Sequence, residues 1–497
     1  MRRSSDVELR RFAYECAWHL SLGMGVDEIV EATGKSRPTI YRAIEQAKDL
    51  GWLSDRPRLT MPPGNERDEM ERYVTDRYKA KRVKDVFGSS VRPTEVIVVP
   101  APPETPELRL RAAICRAIRH SELYRETYVG SPTPDWAAIL KALVEEVTKA
   151  EGVAEAGADP TTIQDLVRYH VERPFTSRDY ERAERVGRAA AERFCRAVDD
   201  GVVKVAGLSW GYHVYAFATA VAMEFPAYGS SRPEIWKRTE SVNKVQLFPL
   251  IGSLALDPTV DTREFAGRSS ANANCVTVAK RIGAPEPVAL TQPAAIPAPF
   301  HEPLELRRIW QYVQADWSVR MVFGIDLADR RVNPEGQPLP DPGELLIRGE
   351  HVELPPEALI AKADTLVTGI GACTWDSRAP RLGLISLSEF AALGEEGQAV
   401  GDLSGQFFWD PLLAPSEPSK QRIRRANAHI ISPRLGEFIL ATRRAKDEGR
   451  LGTVVLASGK RKANAVKAAC NWGAVNVLIV DSDLADAICD EDQGASK

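Results

Sequence analysis

Apolar residues in the first fifty positions recur at helical spacing. Leu9, Phe12, Ala13, Cys16, Ala17 and Leu20 predict the core face of one helix. Gly23 and Gly25 punctuate its end, and Val26, Ile29, Val30 and Ala32 predict a short second helix. Gly34 supplies a tight turn. Ser36 is placed to cap a third helix, Pro38 is tolerated in its first turn, and Ile40, Ala43, Ile44, Ala47 and Leu50 face inward. Further along, the pattern changes to short runs rich in β-branched residues at 96–100, 202–208, 245–250, 365–369, 454–458 and 477–480, which predict buried strands. Helical stretches such as 179–199 and 461–472 lie between them, so crossovers should join the strands into a mostly parallel sheet. The expected fold class is α/β, with an N-terminal helix-turn-helix ahead of a mostly parallel-sheet domain.

This divides the chain into three parts. Residues 1–58 form the helix-turn-helix domain, in which Trp52 should pack on the first helix. Residues 59–94 form a linker and a dimerisation helix. Pro57, Pro62, Pro63 and Gly64 break the chain, and Met70, Tyr73, Val74 and Tyr78 make one apolar stripe within the charged stretch 66–84. That stripe would pair with a second copy or pack on its own domain. Residues 95–497 form the large α/β domain, with further helices at 136–149 and 161–169.

Charge narrows the choice of partner. The net charge of −4 excludes a protein that coats nucleic acid by bulk attraction, so DNA binding would need a local patch. The third helix offers one: Lys35, Ser36, Arg37, Thr39, Tyr41 and Arg42 lie outward near its N-terminal half, where a recognition helix meets base edges. Lys35 and Lys48 would touch the phosphate backbone. The competing reading is a small helical bundle with a solvated polar face. The seven cysteines are far apart and form no CxxC pair, which argues against a zinc site or a disulfide framework and suits buried thiols in a reducing cytoplasm. Charged residues follow Met1, which argues against a signal peptide, and no apolar run of about 18 residues predicts a membrane span. No metal, cofactor or catalytic group is expected.

Parallel sheets bind ligands at the carboxyl ends of their strands. Five glycine-containing segments fall there. In Gly207–His213, small residues precede a helix at 214–223, where backbone N–H groups can meet a phosphate and Ser209 adds a hydroxyl. His213 reads more readily as a structural histidine than as a ligand group. Segments 249–253 and 369–373 are similar strand exits. In 397–405, Asp402 is an acceptor for sugar hydroxyls or else a turn former. In 458–462, Lys460, Arg461 and Lys462 stand where a strand gives way to a helix; Lys462 would neutralise a phosphate, and an exposed basic turn is the alternative.

Taken in order, these pieces resemble the SorC family of sugar-responsive transcription regulators, related to the deoxyribonucleoside and central glycolytic gene regulators. The resemblance covers the helix-turn-helix and most of 85–490. It rests on 36–42, Ser209-Trp210-Gly211, 297–299, Gly369-Ile370-Gly371, 399–402 followed by Phe407 and Phe408, and Lys462 ahead of 476–481. It implies an effector domain with the fold of sugar-phosphate isomerases but without their catalysis, and a dimer or tetramer. It also implies that Ser209, Trp210, Gly211, Tyr212 and Lys462 hold a phosphate, with Gln246, Gly371 and Asp402 near the sugar; Gly252 is a further candidate effector-binding residue. The chain departs from the family at Tyr212-His213-Val214, at Ile251-Gly252-Ser253, and in extra stretches at about 105–190 and 318–360. The expected function is a cytoplasmic DNA-binding regulator whose affinity for double-stranded operator DNA is set by a small effector, a phosphorylated sugar. The alternatives are a DNA-binding scaffold with a degenerate pocket and an isomerase-type enzyme.

Overall fold

The computed structural model describes residues 2–21, 26–50, 65–101, 136–149, 177–224, 245–252, 270–296 and most of 302–490, with scattered positions between 110 and 167. The chain divides into two compact units, Met1–Lys81 and Arg82–Lys497. Among the described residues no helix is long and apolar enough to cross a membrane.

In the smaller unit, α1 (Arg2–Ser21), α2 (Val26–Thr33) and α3 (Arg37–Asp49) share one core built from Ala13, Tyr14, Ile29, Ile40, Ile44 and their neighbours. Gly34 makes the turn before α3 at φ +67°, a left-handed conformation that glycine adopts without strain. A fourth helix, α4 (Asn65–Asp85), holds to α1 through Arg77, which pairs with the buried Glu15. Burial raises the Glu15 carboxyl above its ordinary range, against the pull of Arg77. Of the stripe expected on this helix, Tyr78 is exposed; the side chains of Met70, Tyr73 and Val74 lie outside the described residues, as does Trp52.

The larger unit is built on six parallel strands: β1 (Glu95–Val99), β2 (Val205–Leu208), β3 (Gln246–Pro249), β4 (Thr365–Ala372), β7 (Gly452–Ala457) and β8 (Val477–Asp481), in the order β1-β8-β7-β4-β2-β3. All six match the apolar runs in the sequence. β7 and β8 are buried at every residue, so both of their faces are covered. Helices Ser177–Asp199, Tyr212–Glu224 and Ala271–Ile282 pack on the sheet in one continuous core. The first two approach closely at Gly187, where a Cβ would come within 2.6 Å of the Phe217 amide nitrogen.

Two short strands were not expected. β5 (Gly401–Leu403) pairs antiparallel with the far end of β4, and β6 (Gln406–Phe408) pairs back on β5. The turn between them is Ser404-Gly405, both at positive φ (50° and 83°), which matches the right-handed twist of a hairpin.

Buried polar side chains tie the amino ends of the strands together. Asp364 accepts the backbone N–H groups of Lys204 (2.8 Å) and Val205 (3.1 Å), while its own carbonyl accepts from Gly452. Asn476 donates to the Leu451 carbonyl and accepts from the Thr94 hydroxyl (2.6 Å). These contacts fasten β2, β4, β7, β8 and β1 at one edge and leave the carboxyl edge free to form a site. Helix Ser177–Asp199 belongs to the sheet core, although its first residues fall within the 105–190 stretch that the resemblance marks as extra. Helix Trp136–Thr148 contributes instead to a small separate core with Ile114, Ile163 and Val167; most of 161–169 lies outside the described residues. The 318–360 stretch forms short helices held by ion pairs, among them Arg330 to the buried Glu437 at 2.9 Å.

Candidate functional site

In the smaller unit, α3 buries Ile40, Ala43, Ile44 and Ala47 and turns its other side outward. Lys35, Ser36, Arg37, Tyr41 and Arg42 are exposed, Tyr41 by 56%, and Thr39 is half-buried. Arg37 Nε donates to Asp27 Oδ1 at 2.7 Å, so this cation is braced against α2. Arg42 Nε donates to the Pro38 carbonyl at 3.3 Å, along its own helix. Lys48 pairs with Glu45 at 2.8 Å.

Ser36 departs from expectation. It occupies the cap position, but its side chain makes no capping bond. The second helical residue is Pro38, which has no N–H to give, and the Thr39 amide donates to the Ser36 carbonyl. The Ser36 hydroxyl pairs instead with the Thr39 hydroxyl at 2.9 Å.

In the larger unit, a cavity of about 590 Å³ lies at the carboxyl ends of β2, β4 and β7. Four of the five glycine-containing segments meet there. From the exit of β2 come Ser209, Trp210, Gly211, Tyr212 and His213, the last two already in the first turn of helix Tyr212–Glu224. Gly211 takes φ +101°, which only glycine adopts readily. The Ser209 backbone is fixed on both sides: its N–H donates to the Val367 carbonyl, and its carbonyl accepts from Asn274 Nδ2 at 3.0 Å. From β4 come Gly369 and Gly371, and from the hairpin Asp402 and Ser404. From the exit of β7 come Ser458, Gly459 and the basic turn Lys460–Lys462, which leads into helix Ala463–Asn471.

Asp402 is only 6% exposed. Its Oδ2 accepts the Gly405 N–H at 3.0 Å. Burial pushes its carboxyl up to about 6, opposed by that hydrogen bond and by the charge of Lys462. Gly371 lies directly across the strand pair, and a Cβ there would overlap the Asp402 carboxylate. The glycine is therefore what lets the carboxylate lie against β4. Beside it, the Ser404 hydroxyl pairs with Ser209 (2.7 Å) and Thr368 (3.2 Å). His213 Nε2 pairs with the Ser458 hydroxyl at 2.8 Å.

Two expected residues stand elsewhere. Gln246 begins β3 and pairs with Val205 at the amino end of β2, the edge opposite the cavity. A side chain at the start of a parallel strand cannot serve a site at the strand exits. Gly252 lies outside the lining; it is a packing glycine, since a Cβ would come within 2.5 Å of the Gln292 and Pro293 carbonyl oxygens. Pro297 and Pro299 lie outside the described residues.

The sequence reading missed Arg182 and Asp483 in the lining, and it gave Ser404 and Ser458 no role beyond membership of the segments 397–405 and 458–462. Arg182 arrives from helix Ser177–Asp199, far upstream of the segments it meets. Among the described residues no group of histidine, cysteine and carboxylate side chains could hold a metal ion.

No family model matches the chain, and no curated protein matches it. Solved structures of SorC and DeoR family regulators do resemble it. One is the full-length sorbitol operon regulator SorC from Klebsiella pneumoniae, 13% identical over 97% of this chain and 99% of that one, with a TM-score of 0.44. Another is a DeoR family transcriptional regulator from Listeria monocytogenes, 18% identical over 62% of this chain and 87% of that one, with a TM-score of 0.38. A third is a transcriptional regulator from Streptococcus pneumoniae TIGR4, 14% identical over 63% and 86%, with a TM-score of 0.40.

Proposed function

We propose that the chain is a transcription regulator. The smaller unit binds double-stranded operator DNA through the exposed half of α3, and the larger unit binds a phosphorylated small molecule of the sugar-phosphate class in the cavity. The observation that carries this reading is the composition of the cavity lining, which combines the cations Arg182, Lys460, Arg461 and Lys462 with hydroxyls and Asp402. The first group suits a phosphate, reinforced by backbone N–H groups at the start of helix Tyr212–Glu224. The second suits a polyol, whose hydroxyls both donate and accept. The cavity falls within the range of about 300–1,000 Å³ usual for small-molecule sites.

The reading is of binding rather than reaction. Asp402 is committed to the Gly405 amide and His213 to Ser458, whereas an isomerase would need a base within reach of a carbon-bound proton. As a switch, the ligand must bind the DNA-competent and DNA-incompetent states with different affinities. Two or four copies would present paired α3 helices to a two-fold operator.

The test has two arms. Melting of the purified chain is followed against phosphorylated sugars and their free counterparts, because a ligand of the native state raises the midpoint by mass action. The expected result is a shift with one phosphosugar that Lys462→Ala abolishes; equal losses for phosphorylated and free forms would argue against a phosphate site. In parallel, a binding sequence is selected from random duplexes. Arg42→Ala should weaken binding to it by about tenfold or more, the scale of one base or phosphate contact. Arg37→Ala should weaken it less, because Asp27 already holds that guanidinium. Wild-type affinity in both variants would remove α3 as the reading helix.

A further inference from the structure

The cationic part of the cavity contains a carboxylate that a phosphate site would not ordinarily keep. Asp483 lines the same wall as Arg182 and pairs with the Arg182 Nη2 group. The two are unequally buried: the side chain of Arg182 is 11% exposed and that of Asp483 26%. Arg182 is also anchored from behind. Its Nε lies 3.2 Å from Asp481 Oδ2, and a Cβ added at Gly459 would come within 3.7 Å of its Nη1.

Asp481 is a structural group. Its Oδ1 accepts the Gly459 N–H at 3.1 Å and the Leu484 N–H at 3.0 Å, so it fixes the turn after β7 and the start of helix Ser482–Asp490. Burial raises its carboxyl, and Arg182 is the largest influence holding it down. Asp481 thus gives Arg182 a second carboxylate nearby, itself held in place by backbone N–H groups. Asp483 holds Arg182 by a hydrogen bond at the Nη2 edge, the edge that faces the cavity lining.

We propose that Asp483 is an internal competitor for Arg182. Its carboxylate occupies the guanidinium edge that an incoming phosphate would take, and ligand entry exchanges one anion for the other while Arg182 keeps its ion pair with Asp481. The inference rests on the reading of the cavity as a phosphate site. It makes Asp483 a determinant of affinity: the ligand must displace a charge-assisted bond and overcome repulsion from a like charge close by. A neutral molecule of the same shape gains nothing from that exchange, so the carboxylate also discriminates by charge.

The probe is inorganic phosphate, titrated calorimetrically into the full-length chain at low ionic strength. Asp483→Asn removes the charge and keeps the shape. It should bind phosphate about tenfold tighter than the wild type, as expected for removal of one nearby like charge. Asp483→Glu keeps the charge and should not reproduce that tightening. Should Asp483→Asn unfold, Asp483→Ser gives the same neutralisation and the same expectation. Binding by Asp483→Asn alone, with none by the wild type, would support the competition in its strongest form. If the wild type and Asp483→Asn bind equally, or Asp483→Asn binds more weakly, the competition is overturned while the phosphate site stands. If neither binds, the phosphate site falls and the inference with it.

Discussion

Gly371 and Asp402 face each other across β4 and β5, and each explains the other: the missing side chain makes room for the carboxylate, and burial against the strand raises its proton affinity. The direction of the resulting pH dependence follows from the two states. Unfolded, the carboxyl ionises near 3.8; folded, it holds its proton until about 6. The contribution of its neutral form to stability is full below the lower value and is lost as pH rises through the upper one. Above both, the penalty is constant at about 3 kcal/mol. Asp402→Asn retains an acceptor for the Gly405 N–H and removes the penalty. Its melting midpoint should exceed that of the wild type at about pH 7 and converge with it below about pH 4; equal midpoints at the higher pH would mean that the carboxylate is not desolvated. The sequence left Asp402 two uses, an acceptor for sugar hydroxyls or a turn former, and its bond from the Gly405 N–H at the hairpin turn is of the second kind. Arg182 was not legible there. An arginine within a charged amphipathic helix looks like any solvated residue, and only the fold brings it to the exit of β7.

At the level of elements, the sequence signalled best where burial is complete. The six parallel strands were visible because each is a short apolar run, buried at every residue in β7 and β8 and at most residues in the other four. The β5–β6 hairpin was hidden because its strands have three residues each and its glycines suggested a loop; the Ser404-Gly405 pair between Leu403 and Gln406 was the available signal. The start of α3 shows the opposite failure. Serine in the cap position predicted a capping bond that Pro38 prevents. Ser36→Ala should therefore lower the stability of the smaller unit by less than the roughly 1 kcal/mol usual for a lost cap. Thermal or urea denaturation of the full chain followed at that unit would measure it, and a full-sized loss would mean that the cap does form in solution.

Across the larger unit, the two edges of the sheet differ in kind. Asp364 and Asn476 tie strands together at the amino edge, while the carboxyl edge opens into the cavity. A phosphorylated ligand should slow amide hydrogen exchange at 209–213, 369–372 and 458–462 well beyond its effect at 204–205, 365 and 476. Uniform protection over both edges would mean that the ligand only raises global stability. The division of labour within β4 has a separate outcome. Its parallel pairing with β7 ends at Gly369, and its antiparallel pairing with β5 begins at Ile370. The ladder of the sheet is thus closed before the hairpin starts. Substitutions in the hairpin can reshape the cavity while the parallel ladder keeps every one of its backbone bonds, so on the proposed reading ligand preference would be free to diverge faster than the scaffold that carries it.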